Sequence, residues 1–243
     1  MQDNNDLKIE KDGEKPHPES VKRVEDLKDR PPKSPFLSRR LINIGIEFSK
    51  GFKFINKYDL AATFFGSSRC SFEDDVYREA RVLAEWLAKN DFTIITGGGP
   101  GVMEAANKGA KEAGGKSVGL GINLPEEQVI NEYVEDSLTF DHFFTRKVML
   151  SFASSIYVFY PGGFGTLDEF FEIITLLQTG KGHPTLVVLM GEDYWGPLLE
   201  WIEKTLYGHN NAIDKEDMDL YHLVDTVKEA KGLIRQKSEA FQS

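Results

Sequence analysis

A single cysteine, Cys70, is present in a chain of 243 residues. It excludes an internal disulfide and leaves no partners for a structural zinc site, as expected of a reducing compartment. Long apolar runs are scarce: Leu186–Met190, in the C-terminal third, is far too short to span a bilayer. The chain opens on Asp, Asn, Lys and Glu, with no apolar signal-peptide segment. Basic charge is in deficit, 29 Lys and Arg against 39 Asp and Glu, which argues against a nucleic-acid-binding face. The five histidines (His17, His142, His183, His209 and His222) show neither His-x3-His nor His-Glu-x2-His spacing, so no metal is expected. A hydrophobic fraction of 40% with 28% charged residues is ordinary for a globular chain. The expectation is a soluble, cytoplasmic protein with no nucleic-acid and no membrane partner.

The first forty residues differ from the rest. They hold five of the ten prolines, and 10 basic against 9 acidic residues, so the acidity belongs to residues 41–243. Apolar residues before Phe36 are sparse and aperiodic, too few to offset the entropy of ordering. Residues 1–54 are expected to form an N-terminal arm, partly extended or helical, with a short helix around Glu19–Lys28 and a helical pattern at Ile42–Phe54.

Beyond the arm, strands and helices alternate. Buried strands are expected at Tyr58–Phe65, Phe92–Thr96, Ser117–Ile122, Ile156–Phe159 and Thr185–Met190, with a short one near Leu223–Val224. Helices are expected at Glu73–Lys89 (capped by Ser71), from about Gly101 to Ala113, around Arg146–Phe152, and at Leu167–Gln178 and Trp195–Leu206. A last helix is capped by Asp225. Such alternation means a doubly wound, Rossmann-like parallel sheet with helices on both faces, a single α/β domain over 55–243. Trp86, Trp195 and Trp201 fall at apolar helix positions and are read as core or subunit interface. Helix Leu167–Gln178 is apolar around most of its girth and must be covered on all sides.

Three of the strands end in small-residue loops: Gly66-Ser67-Ser68, Gly97-Gly98-Gly99-Pro100-Gly101 and Gly162-Gly163-Phe164-Gly165-Thr166. In a parallel sheet all three fall on the same edge, where ligands bind. Glycine lets backbone N–H groups approach an anion, and each loop opens a helix whose positive end points at it. One such loop would be only a tight turn; three on one edge indicate a phosphate-bearing ligand. A dinucleotide fingerprint needs glycine at first, third and sixth positions, yet the sixth residue from Gly97 is Val102 and from Gly163 is Asp168. No Gly-x4-Gly-Lys-Ser/Thr occurs, which excludes a P-loop nucleotidase. A mononucleotide or sugar phosphate remains.

Charged groups lie close to these loops. Arg146-Lys147 opens a helix; arginine offers a planar fork for phosphate or hydroxyl pairs, although a surface pair reads the same way. Glu169 follows Thr166 by three residues, placed to stabilise a cationic ribosyl transition state or to hold a water, as carboxylates do in glycoside hydrolysis. Complementing a helix dipole is the plainer explanation for Glu169, and it carries more weight for Asp168.

Gly97–Ala110 (GGGPGVMEAANKGA), Phe144–Leu150 (FTRKVML) and Pro161–Glu172 (PGGFGTLDEFFE) together resemble the LOG family, cytokinin riboside 5′-monophosphate phosphoribohydrolases also labelled lysine decarboxylases. The resemblance runs from about Asp59 to Glu229 and takes in Leu124–Gln128. It implies hydrolysis of a nucleoside 5′-monophosphate to free base and ribose 5-phosphate, with Arg146 and Glu169 as the catalytic pair. It further implies Gln128, Lys147, Gly162, Gly163, Gly165 and Thr166 as substrate contacts, beside Gly66, Ser67, Gly97, Gly98 and Gly99 from the other loops. No cofactor is implied, and a homodimer or higher homo-oligomer is. No lysine stands in a context suited to a pyridoxal Schiff base. Plant-type members carry Met-His-x-Arg-Lys where this chain has Phe143-Phe144-Thr145-Arg146-Lys147. Adenine, an N6-prenylated adenine and another purine all stay open as the base. A nucleotide-binding carrier of the same fold is the alternative.

Overall fold

The computed structural model describes the backbone of residues 37–124 and 130–242. The segment 1–36, with the helix expected at Glu19–Lys28, lies outside the described residues, as do 125–129 with Gln128. Contacts divide the chain into Met1–Leu41 and Ile42–Ser243. Of the first unit only Leu37–Leu41, in the opening turns of a helix, is described.

Seven strands form one parallel sheet: β1 (Ala61–Phe65), β2 (Thr93–Thr96), β3 (Ser117–Ile122), β4 (Asp136–Phe140), β5 (Ile156–Phe159), β6 (Leu186–Met190) and β7 (His222–Val224). Their order is β4-β3-β2-β1-β5-β6-β7 and every pairing is parallel. The helices are α1 (Leu37–Ile55), α2 (Asp75–Ala88), α3 (Val102–Glu112), α4 (Phe143–Phe152), α5 (Phe164–Gln178), α6 (Glu192–Trp201) and α7 (Val227–Gln242). The chain steps outward from β1 to β4, then returns to β5 on the other side of β1 and steps outward again. The β1/β5 boundary is therefore the topological switch point, where such sheets open a ligand crevice.

Strand residues alternate between two cores. Ala62, Phe64, Ile94, Val158 and Val188 face α2, α3 and α7. Ala61, Phe65, Ile95, Phe159 and Leu189 face α1, α4, α5 and Trp195. The expected Rossmann-like α/β architecture is the one observed. Among the described residues, no helix is long and apolar enough to cross a membrane.

The differences from expectation are local. Strand β4 is a difference: it is an edge strand whose inward residues Asp136 and Leu138 are only half-buried, with Phe140 buried and Ser137 and Thr139 exposed, and Asp-Ser-Leu-Thr-Phe gives no continuous apolar run. Helix α2 begins after Asp74, not Ser71, and the Asp74 carboxylate accepts the Ser71 N–H at 2.7 Å. The final helix uses Thr226, whose Oγ1 accepts the Glu229 N–H at 3.2 Å, while the Glu229 carboxylate accepts the Thr226 N–H at 3.3 Å. That reciprocal pair is a capping box one residue beyond the expected cap. Helix α6 starts three residues early and passes into a wider π-helical turn over Ile202–His209. Trp195 is fully buried in the core and Trp86 half-buried, whereas Trp201 is exposed.

Candidate functional site

The loops after β1, β2 and β5, three adjacent strands at the sheet centre, open on one cavity of about 830 Å³. Backbone bonds stitch them together: the Ser67 N–H donates to the Pro161 carbonyl at 2.9 Å, and the Val102 N–H to the Ser67 carbonyl at 3.0 Å. Gly101 sits at the joint with φ +72°, where a Cβ would run into the Ser67 carbonyl. Only glycine allows that approach.

Gly66, Ser67, Gly97, Arg146, Gly162, Gly163, Gly165, Thr166 and Glu169 all line the cavity. Gly98 and Gly99 are buried beside it instead. The Gly98 N–H donates to Thr96 Oγ1 at 2.9 Å, and both carbonyls accept from Asn131 Nδ2, at 3.2 and 3.0 Å. Asn107, fully buried, receives Thr96 Oγ1 at 2.6 Å and Asn131 Nδ2 at 3.0 Å. This satisfied polar network fixes the shape of the second loop.

Helix α5 begins at Phe164, so Asp168 and Glu169 lie in its second turn. No acidic residue occupies the first turn. Dipole complementation, the plainer reading of both residues, is thereby weakened, because that effect fades within the first turn. The N-cap Gly163 provides no side-chain cap, and Gly101 before α3 provides none either. The N-terminus of α5 therefore opens on the cavity without a side-chain cap, an arrangement suited to an anion, whereas the first amide of α3 is taken by the Ser67 carbonyl. Tyr194 holds the third loop by donating its hydroxyl to the Gly162 carbonyl at 2.8 Å.

Arg146 is set one turn into α4. Its Nε donates to the Leu120 carbonyl at 2.7 Å, and its guanidinium passes over Gly97, where a Cβ would run into Nη2. Burial pulls the Arg146 pKa down while Glu169 pulls it back up. The Glu169 side chain is 14% exposed, and its Oε2 accepts no hydrogen bond among the described residues. Burial pushes its carboxyl up to about 7; Lys147 and then Arg146 lower it, and Asp168 and Glu172 raise it. A buried acid with a shifted pKa in a cleft is a mark of chemistry.

Lys147 is not in the cavity wall. Its Nζ lies 2.6 Å from Asp168 Oδ2, 3.8 Å from Glu169 Oε2 and 3.9 Å from Glu172 Oε2, which ties α4 to α5. Gln128 lies outside the described residues. The cavity also takes in residues with weaker marks in the sequence. Arg69 brings a second cation to the rim and was signalled by its place directly after Gly66-Ser67-Ser68; Met103, Phe143, Leu150 and Phe164 give an apolar side with no comparable signal.

A family model described as "Possible lysine decarboxylase" matches residues 103–234. The Arabidopsis thaliana cytokinin riboside 5′-monophosphate phosphoribohydrolase LOG5 is 27% identical over 190 residues, 77% of this chain and 80% of the relative. The probable enzyme of that name from Oryza sativa subsp. japonica, LOGL3, is 28% identical over 154 residues, covering 62% and 72%. That of Rhodococcoides fascians is 31% identical over 123 residues, covering 48% and 61%. Among solved structures, the molybdenum cofactor carrier protein of Chlamydomonas reinhardtii superposes with a TM-score of 0.55 at 23% identity, covering 73% of this chain and 96% of its own. The molybdenum cofactor binding protein of Rippkaea orientalis gives 0.54 at 19%, covering 73% and 94%. These two share the fold. The family model spans more than half of the sequence, and the chain belongs to the family it describes, the LOG family.

Proposed function

We propose that the protein hydrolyses the N-glycosidic bond of a purine nucleoside 5′-monophosphate, giving free base and ribose 5-phosphate. The observation that carries this reading is Glu169: a buried carboxyl raised to about 7, lining the cavity onto which the N-terminus of α5 opens without a side-chain cap. The relatives at 27–31% identity named phosphoribohydrolases support it. In this reading the 5′-phosphate sits against the N–H groups of Gly163–Gly165 and the Thr166 hydroxyl. Cleavage builds positive charge on the ribose, which an ionised Glu169 stabilises more than it does the ground state. Water adds its oxygen to the anomeric carbon and the bonding pair leaves with the base nitrogen. One proton of that water passes by way of the Glu169 carboxylate, whose pKa near neutrality suits both taking and giving it. Arg146 orients the nucleotide or assists the departing base.

Decarboxylation, which the family description raises, would call for a pyridoxal Schiff-base lysine. The cavity wall holds Arg69 and Arg146 but no lysine among the described residues, and Lys147 is engaged with Asp168. The residues present do not fit that cofactor. A carrier of the same fold needs the anion loops but does not require an acid.

A cytoplasmic homodimer belongs to the same proposal. Phe143, Phe144, Phe152, Phe164 and Phe171 leave α4 and α5 with an exposed aromatic face that a two-fold partner would cover. Sedimentation as a stable monomer at micromolar concentration would remove that part. The decisive experiment incubates the protein with a panel of nucleoside 5′-monophosphates and measures free base and ribose 5-phosphate. Tight nucleotide binding without base release from any member would favour the carrier.

A further inference from the structure

The start of the helix that carries Arg146 is held by a residue from elsewhere in the chain. His142, the N-cap of α4, makes no side-chain capping bond of its own. Beside it stands Glu47 of α1, whose side chain is 15% exposed. Its Oε1 accepts the Asp141 N–H at 3.0 Å. Its Oε2 lies 3.1 Å from His142 Nδ1 and 2.6 Å from the Thr145 hydroxyl, which it shares with the His142 carbonyl at 2.7 Å. Burial alone would raise the Glu47 carboxyl; the bonds from Thr145, the Asp141 amide and His142 outweigh it and leave it below the usual carboxylate range. A carboxylate at this end of α4 is also favoured by the helix dipole.

Helix α1 is built to bring Glu47 there. Gly51 is buried, and a Cβ on it would lie 2.5 Å from Met149 Sδ, so the two helices approach closely. Phe48 packs on Phe144 and Phe52 on Phe152, each pair with ring centroids 6.5 Å apart. The turn that Glu47 closes, His142 to Arg146, ends at the Arg146 N–H, which donates to the His142 carbonyl at 3.2 Å.

We propose that Glu47 is a positioning residue: by tying Asp141, His142 and Thr145 to α1 it holds the turn that aims Arg146 across Gly97 into the cavity. The proposal rests on the phosphoribohydrolase reading above for its catalytic consequence. Glu47 precedes the segment that the family model matches, which begins at residue 103.

The test uses the full chain with Glu47→Ala, Glu47→Gln, Arg146→Ala and the double variant Glu47→Ala/Arg146→Ala. Amide hydrogen exchange at Asp141, whose N–H Glu47 accepts, and at Arg146 should speed up about fivefold or more in Glu47→Ala, the ratio implied by losing one hydrogen bond of ordinary strength. Glu47→Gln, which keeps an acceptor for the Asp141 N–H, should restore most of the protection. With a nucleoside 5′-monophosphate that the wild type hydrolyses, Glu47→Ala should lower kcat about tenfold and move KM less than about twofold, because the phosphate anchor is untouched. In the Arg146→Ala background the same change should have no further effect on rate, as a residue acting through Arg146 requires. An equal loss in both backgrounds, or an unaltered kcat, would overturn the proposal. If the wild type hydrolyses no nucleotide, the functional reading fails by itself, and unchanged exchange in Glu47→Ala would refute the positioning role independently.

Discussion

Glu169→Gln separates the stability of the fold from the chemistry of the site. The substitution keeps the shape of the side chain and removes its charge and its titration. In the wild type the carboxyl is held at about 7 where 4.5 is ordinary, chiefly by burial. Each tenfold change in proton affinity is about 1.4 kcal/mol, so ionising Glu169 in the folded protein costs about 3 kcal/mol. The sign follows from proton uptake. Between pH 4.5 and 7 the native state holds more protons than the unfolded one, so stability falls across that window and is level above it. Glutamine does not titrate and should show no such fall. Urea or thermal unfolding should find the two proteins alike near pH 4, and the Gln variant more stable by about 3 kcal/mol at pH 8. At 2–4 °C per kcal/mol that is a rise in Tm of about 6–12 °C for a domain of this size. Turnover should move the other way, falling at least ~10²-fold as expected when a preorganised charge is lost from an active site. A Gln variant no more stable than wild type at pH 8, or one stabilised equally at pH 4 and pH 8, would refute the reasoning.

In the wild type the rate of hydrolysis should rise with pH through a limb centred near 7, the range in which Glu169 ionises, and that limb should vanish in Glu169→Gln. Lys147→Met removes the largest charge effect lowering Glu169 and should move the limb above 7; Asp168→Asn removes a neighbouring negative charge and should move it below, with pH–rate profiles reading both. Gly97→Ala puts a methyl group where Arg146 Nη2 lies and 2.9 Å from Met103 Sδ, so it should lower kcat about 10²-fold while circular dichroism shows the fold retained. Gly101→Ala meets backbone rather than a movable side chain, at φ +72°, and should cost about 2 kcal/mol or more by urea titration.

The centre of this fold was legible because its strands are buried on both faces. Ala61–Phe65, Thr93–Thr96 and Ile156–Phe159 carry no alternation that would mistake them for half-exposed strands, and each runs into a glycine-bearing loop. Strand β4 lacks both signals. Asp136 bonds Lys57 and Tyr58, Ser137 and Thr139 face outward, and only pairing with β3 makes the segment a strand. That ladder is a long-range fact with no local trace. Helix ends slipped for a different reason. Ser71 and Asp74 are both good capping residues within one turn, and propensity alone does not choose between them. Gly163 and Gly165 read as loop because glycine disfavours a helix, yet Phe164 already begins α5.

The site was legible in its residue types and less so in their directions. Arg146 and Lys147 are neighbours in sequence, but adjacent residues on a helix diverge by about 100°. Arg146 therefore turns to Leu120, Gly97 and the cavity, while Lys147 turns to α5 and its carboxylates. A pair that reads as one cationic motif is thus divided: one member faces the ligand space and the other tunes the acid. Glu169 is the converse case, since its position was readable but its state was not. Its high pKa arises from α4 and α5 closing over it, a packing that no spacing of residues encodes. That state is what distinguishes the two functional readings. A carrier and a hydrolase share the glycine loops and the uncapped N-terminus of α5, and both gain by holding a phosphate. A hydrolase gains from a carboxyl that burial destabilises once it is charged, because the developing cation of the transition state restores what the ground state lacks; carriage makes no such demand. For a carrier the same residue would be a standing weakness of about 3 kcal/mol, readily removed by a single Glu-to-Gln change.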